Sequence, residues 1–340
     1  MKTLLLDAAR SGSVEAAARI IKNGGLVGMP TETVYGLAAN ALDGTAVRKI
    51  FEAKGRPQDN PLIVHISKLE QIERLTVSLP ESAKRLAKAF WPGPLTMVLE
   101  KSELIPFEVS TGLPTVGIRF PSHPIAQALI TAAGVPIAAP SANRSGFPST
   151  TTAEHVMRDM GGKIDAVLDG GPCGVGVEST IVALTSDPPR LLRPGGITLD
   201  QLRAVLGRVD VDPAVMNPLP KGARPLSPGM KYKHYSPKAN VVILNGGEKA
   251  YADYVNSHSK PGVAALCYDG EDRLLKVPAV CYGAECDLDA QARELFESLR
   301  RLDDIGAKTV YARCPAPDGV GLAVYNRLMR AAGFEVLTIE

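Results

Sequence analysis

Apolar and polar positions along the chain form two patterned stretches separated by one without pattern, and the break comes near residue 208. In the first stretch helical and strand-like periods alternate. "SVEAAARIIKNGG" (13–25) predicts an amphipathic helix with Ser13 as its N-cap and the two glycines as its stop. "LVGMP" reads as a short buried strand and "GTAVRKIFEAKG" (44–55) as another helix. The runs at 61–66, 96–101, 115–120 and 135–140 are apolar and punctuated by Gly or Pro, the pattern of strands. Helices are predicted at 79–90, 123–134 and 151–161. Strands within "DAVLDGG", "STIVALT" and "RLLRPG" follow, and then a short helix in "TLDQLRAVLG". This order predicts a mixed α/β domain over residues 1–207 with one large twisted sheet.

Residues 208–238 are rich in Pro and Gly, lack an apolar period and read as a linker. The linker ends in a dense cluster: Lys231, Tyr232, Lys233, His234 and Tyr235. From residue 239 to 340 strand and helix patterns resume, and they predict a small doubly wound α/β unit. A length of 340 residues agrees with two cores rather than one.

Composition narrows the class of protein. Hydrophobic residues make up 45% and charged residues 22%, as in globular proteins. A net charge of +2 gives no global reason to bind nucleic acid or an acidic membrane. The apolar run in "MKTLLLDAARSG" is short, and no stretch reaches membrane-spanning length. Five cysteines, with no CxxC pair, fit reduced thiols and a cytoplasmic location.

The common nucleotide and metal motifs are missing: no P-loop, GxGxxG, HExxH, EF-hand loop or GxSxG occurs. Three polar loops follow buried strands instead. "MPTETVYGLAANA" (29–41) offers the hydroxyls of Thr31, Thr33 and Tyr35 to a small polar ligand; its Thr and Glu suit a helix N-cap equally well. "APSANRSGFPST" (139–150) offers Ser141, Asn143, Ser145 and Ser149, with glycine allowing backbone N–H groups close to an anion. An ordinary polar turn is the plainer account of that loop. "GGPCGVGVESTIV" (170–182) places Glu178, Ser179 and Thr180 where a glycine-rich loop becomes a strand. Cys173 has no accompanying histidine motif and reads as a small side chain in a tight loop.

Four cations sharpen this picture. Arg119 and Arg193 lie in apolar strands, where a buried arginine must find an anion. Lys54 and Arg56 bracket Gly55 where a helix gives way to a buried strand. Together with the polar loops they predict a concave site at strand ends that holds several negative charges. His65, on its own, reads as a satisfied core histidine.

The stretches "PTETVYGL", "KGRPQDNPL", "SAN", "ESTIV" and "RPG", in that order, resemble the YrdC-type domain. With "SPGMKYKHYSP" and the α/β unit after it, the whole chain is similar to the long, two-domain threonylcarbamoyl-AMP synthases. The resemblance implies a nucleotidyltransferase that joins L-threonine, bicarbonate and ATP into L-threonylcarbamoyl-AMP and releases pyrophosphate. The product then serves a tRNA threonylcarbamoyl transferase that makes threonylcarbamoyladenosine. Lys54, Arg56, Ser141 and Asn143 would be the catalytic group. Arg56, Asn60, Thr115, Ser141, Ser149, Arg193 and Tyr235 would contact ATP. Thr33, His65, Arg119, the Ala139 backbone and Ser179 would hold threonine. Mg2+ is expected on the ATP phosphates, with no protein metal site. The linker would act as a lid placing Tyr232 or Tyr235 on the nucleotide, ordered by a C-terminal unit without chemistry of its own. The resemblance leaves direct tRNA contact open. A rival reading is a double-stranded RNA or tRNA binder that makes no adenylate, against which the low net charge argues. A carbamoyltransferase like the hydrogenase maturation proteins is disfavoured, because their zinc-finger-like cysteine pairs are missing here.

Overall fold

The computed structural model describes residues 2–220, 222, 225–229 and 235–340. Its compact units are two: Met1–Ser145 with Ser149–Lys231, and Gly146–Pro148 with Tyr232–Glu340. The first unit begins with β1 (Leu4–Asp7), α1 (Ser13–Lys22), β2 (Val27–Met29), β3 (Gly36–Asn40) and α2 (Gly44–Lys54). It continues with β4 (Ile63–His65), α3 (Gln71–Leu75), α4 (Glu81–Phe90), β5 (Leu95–Glu100) and α5 (Phe107–Ser110). Next come β6 (Thr115–Arg119), α6 (Pro124–Ala133), β7 (Ile137–Ala138), α7 (Ala153–Met160) and β8 (Ala166–Asp169). β9 (Thr180–Ala183), β10 (Arg190–Arg193), α8 (Leu199–Leu206) and β11 (Asp210–Val211) close it.

The strands form one 11-stranded sheet in the order β1-β8-β2-β3-β7-β4-β6-β5-β9-β10-β11. Parallel pairs (β4–β6, β5–β9) and antiparallel pairs (β2–β3, β5–β6) both occur, so the mixed sheet is as expected. Helices α1 and α6 bury Ala17, Ile21, Leu129 and Ile130 in a core with Val27, Met29 and Leu168 of the sheet. Local signals explain the helix ends. The Asp43 carboxylate accepts from the Thr45 and Ala46 amides at the start of α2, and Thr198 and Gln201 form a capping box on α8.

Three expectations need correction, and one strand was not foreseen. Ser13 is the first helical residue of α1, not its cap. Gly12, left-handed at φ 86°, takes the cap position without a side-chain bond. The segment after Thr31 does not open a helix: it turns into β3, which pairs antiparallel with β2 and with β7. Strand pairing on both sides outweighs a capping signal worth about 1 kcal/mol. β1 was not foreseen. It is an edge strand parallel to β8 with Leu4 and Leu5 about half exposed, so its sequence carries no clean alternation. Within 208–238, β11 pairs with β10 and the Asp212 carboxylate lies 3.5 Å from Arg190, so this stretch begins by completing the first sheet.

The second unit contains β12 (Asn240–Asn245), α9 (Glu248–Ser257), β13 (Val263–Cys267) and β14 (Ala279–Cys281). It ends with α10 (Leu288–Asp304), β15 (Thr309–Ala312), α11 (Gly321–Ala331) and β16 (Val336–Thr338). Its five strands run parallel in the order β14-β13-β15-β12-β16, the doubly wound arrangement expected. Val242, Leu244, Tyr251, Val255 and Ala265 contribute to its own core. Tyr235 is buried in this unit, its ring 5.3 Å from that of Phe296 and 5.7 Å from the Arg327 guanidinium. Tyr232 lies outside the described residues.

Candidate active site

Lys54 is the last residue of α2, and Gly55 closes the helix in the left-handed region at φ 60°. That conformation suits glycine and reverses the chain so that Arg56 follows on a new course. The Lys54 ammonium is buried and donates to the carbonyls of Ser141 and Asn143, each at 2.5 Å. Burial, and then the nearby Arg56 charge, pull its pKa well below the ordinary lysine value, against the opposing charges of Asp159 and Glu178. Arg56 donates to the Asn60 carbonyl at 3.2 Å.

The facing loop follows β7. The Ser141 hydroxyl donates to the Asn143 side-chain oxygen at 2.5 Å, and the Ala142 amide donates to Tyr35 O at 2.8 Å. The Ser145 amide goes to Lys54 O at 3.1 Å. The loop therefore turns two carbonyls toward the cation and uses the Ala142 and Ser145 amides within the protein. Lys54, Arg56, Asn60, Ser141 and Asn143 are brought together, as expected.

A second cluster lies on the same sheet. Parallel pairing sets His65 beside Arg119, and antiparallel pairing sets Thr96 opposite Arg119, so all three share one face. The Thr96 hydroxyl is 2.8 Å from that of Ser179. Arg193 donates to Ser179 through Nη2 (3.2 Å to Oγ) and Nε (3.1 Å to the carbonyl). Gly195 permits this approach. A Cβ there would lie 2.3 Å from the Thr180 nitrogen and 2.6 Å from the Glu178 carbonyl.

Arg119 Nη2 stands 2.7 Å from Glu32 Oε1, both side chains nearly buried. The contact is close but out of line. Arg119 Nε and Nη2, both Glu32 oxygens, His65 Nδ1 and Thr150 Oγ1 are buried without a hydrogen-bond partner. Burial works against the Glu32 charge, yet Arg119 and the nearby amides of Glu32 and Ser122 hold its carboxyl below the usual glutamate value. His65 is pushed down to about 3, by burial first and the Arg119 charge second, so its ring is neutral. Burial pushes the Cys173 thiol up to about 12, which agrees with an inert side chain.

The remaining expected residues are more dispersed. Thr33 is buried with its hydroxyl 2.9 Å from that of Thr31. Thr31 and Tyr35 do not offer free hydroxyls: Thr31 donates to Val34 O at 2.6 Å, and Tyr35 donates to Gly171 O at 2.8 Å. Each hydroxyl fixes its own loop. Ser149 donates to the Glu178 carboxylate, whose charge Lys54 also feels. The Ala139 amide is taken by Ile63 O at 3.0 Å. Thr115 lines a cleft with Pro61, Ile63, Ser227 and Pro228, and Pro228 O accepts from Arg193 at 3.3 Å. Tyr235 belongs to the second unit. Sequence reasoning missed Glu32 and Thr96 as members of the site, and it pointed to Glu178 without giving it a role. For Glu32 the signal was Arg119 itself, since an arginine in a buried strand demands a carboxylate.

Buried cations and a buried carboxylate–guanidinium pair gather around one mixed sheet, an arrangement that suits anionic and amino-acid-like ligands. Residues 19–195 match the Sua5/YciO/YrdC family model, described as "Telomere recombination". Residues 197–333 match the model "Threonylcarbamoyl-AMP synthase, C-terminal domain". The chain is 46% identical to a threonylcarbamoyl-AMP synthase of Pyrococcus abyssi over 96% of both chains. It is 45% identical to the Bacillus subtilis protein of the same name over 95% of this chain and 94% of that one. The crystal structure of P. abyssi Sua5 complexed with L-threonine superposes with a TM-score of 0.89 at 43% identity, covering both chains fully. The chain belongs to the Sua5/YciO/YrdC family in its two-domain, adenylate-forming threonylcarbamoyl-AMP synthase branch. The YrdC resemblance of its motifs is thereby borne out. Among the described residues, no helix is long and apolar enough to cross a membrane.

Proposed function

We propose that this chain joins L-threonine, bicarbonate and ATP into L-threonylcarbamoyl-AMP and pyrophosphate, in the cytoplasm, as the first step toward threonylcarbamoyladenosine in tRNA. The observation that carries this reading is the presence on one sheet of two complementary clusters. One is cationic and suits phosphates; the other pairs a guanidinium with a carboxylate and suits an amino acid. The full-length likeness to threonylcarbamoyl-AMP synthases supports the particular reaction.

In this reading Arg119 takes the threonine carboxylate, with Thr33, His65, the Ala139 carbonyl and Ser179 around the rest of the molecule. The amine attacks bicarbonate carbon and water leaves, giving a carbamate. A carbamate oxygen then attacks the α-phosphorus of ATP, and the bond to the pyrophosphate oxygen breaks. Neither step needs a protein nucleophile, so the protein's work is positioning and charge neutralisation. Lys54 and Arg56, which repel one another when alone, would both be relieved by phosphate. Asn60, Thr115, Ser141, Asn143, Ser149 and Arg193 would complete the nucleotide side. Among the described residues no group of three or more His, Cys, Asp or Glu side chains is placed to hold a metal. Mg2+ would then enter on the triphosphate, ligated by its oxygens and water, and neutralise its charge. The labile product calls for transfer to a tRNA-modifying transferase.

Pyrophosphate release from ATP tests this reading with the purified full-length chain. Release that requires both threonine and bicarbonate, and that prefers threonine to serine, is the expected result. No release in any combination, alongside steeply salt-dependent RNA binding, would overturn it in favour of an RNA-binding protein.

A further inference from the structure

Glu32 and Arg119 make an unusual pair. A buried carboxylate present only to neutralise an arginine settles into the bidentate fork, with two parallel N–H···O bonds. Here one guanidinium nitrogen reaches one carboxylate oxygen at 2.7 Å out of line, the amides of Glu32 and Ser122 lie near the carboxylate, and neither group completes a well-formed hydrogen bond. Buried charges with poorly formed hydrogen bonds are costly, so the arrangement makes sense if a ligand completes it.

That ligand must bring an acceptor to Arg119 and a donor to Glu32. Among the described residues, His65, His123 and Cys173 are titratable groups that feel the charge of this pair. His65 is a neutral ring and Cys173 a protonated thiol, while burial also lowers the His123 pKa. Among the described residues Arg119 is the cation paired with Glu32, and a ligand carboxylate arriving on Arg119 would compete for it. Two carboxylates on one guanidinium repel each other unless a second positive charge arrives with the ligand. An α-amino acid zwitterion carries that charge.

From this geometry we infer that Glu32 is a specificity-determining residue: it accepts the α-ammonium of the amino acid whose carboxylate binds Arg119, and it rejects carboxylic acids lacking that ammonium. The inference rests on the threonine reading above and deepens it, giving the Glu32 carboxylate a particular partner and a role in selection. Discrimination between an amino acid and its hydroxy-acid analogue lies in Glu32 rather than in the pocket that receives the side chain.

The test is equilibrium binding to the full chain of threonine and of 2,3-dihydroxybutyrate, in which a hydroxyl replaces the amine. The wild-type chain is expected to bind threonine and to disfavour the analogue. Glu32→Gln is expected to weaken threonine binding about 10- to 100-fold, the effect of losing a charge-assisted hydrogen bond. The same substitution is expected to strengthen binding of the analogue, because the carboxylate repulsion is gone. A merely structural role for Glu32 would weaken both ligands together. Glu32→Asp keeps the charge and should keep the rejection of the analogue even if it loses threonine affinity, which covers the case of a Gln variant that does not fold. If wild type binds and turns over threonine but Glu32→Gln leaves the ratio of the two affinities unchanged, the inference is overturned and the reaction reading stands. If wild type binds no threonine, the reaction reading falls first and takes the inference with it.

Discussion

Lys54 carries its charge into the interior on two backbone carbonyls, a costly arrangement unless the charge is used. Lys54→Met should lower the rate of threonine-dependent pyrophosphate release by about 100-fold or more, the scale of removing one preorganised charge; steady-state kinetics would show it. Arg119→Ala should act on stability as well as activity. It strands Glu32 as a buried charge, a loss of about 3–5 kcal/mol readable by urea unfolding. His65 makes a prediction with a definite sign. Its folded pKa of about 3 lies below the ordinary 6.5, so protons bind the unfolded chain first as the pH falls. Its contribution to stability is complete above about pH 6.5 and is lost toward pH 3, at up to about 1.4 kcal/mol per pH unit. Against His65→Gln, the wild-type chain should therefore lose more stability between pH 6.5 and 4, and a parallel decline in both would contradict the assignment. At this scale the sequence was half legible. Arg119 announced itself by standing in an apolar strand, whereas Glu32 between two threonines looked equally like a helix cap until β3 was seen to follow.

Among the elements, the long periodic ones were readable: α1, α2, α4 and α6 lie where apolar spacing predicts them. β1 escaped because it is an edge strand, and α3 and α5 because helices of five and four residues have no room for a period. The loop contacts of the site were not legible either, since amides and carbonyls look alike in a sequence. Which of them face Lys54 depends on the pairing of Gly36 with Ser141. Gly195 tests how the elements position the site. Gly195→Ala would force the 194–196 turn away from the Thr180 nitrogen and the Glu178 carbonyl, both backbone atoms that yield only with the strand. A loss of about 1–3 kcal/mol is expected, together with weaker activity as Arg193 withdraws from Ser179. Chemical denaturation and turnover measured on the same sample check both.

For the whole molecule, the spacing of apolar and polar positions showed two patterned regions, and the structure gives each its own sheet and core. The chain leaves the first unit later than the loss of apolar period suggested. A truncation after residue 205 would remove β11 and also Ala214, which packs with Ile63, Ile181 and Leu192. Such a chain should be less stable than one ending at residue 231 by about 2 kcal/mol or more, with comparative thermal melts as the check. The central claim concerns what the first unit makes. Isotopically labelled bicarbonate, threonine and ATP incubated with the full-length chain, with the products resolved by mass spectrometry, test it most directly. A threonine-bearing AMP adduct carrying the label is predicted. Unlabelled AMP, or ATP left intact while threonine is bound, would contradict the account.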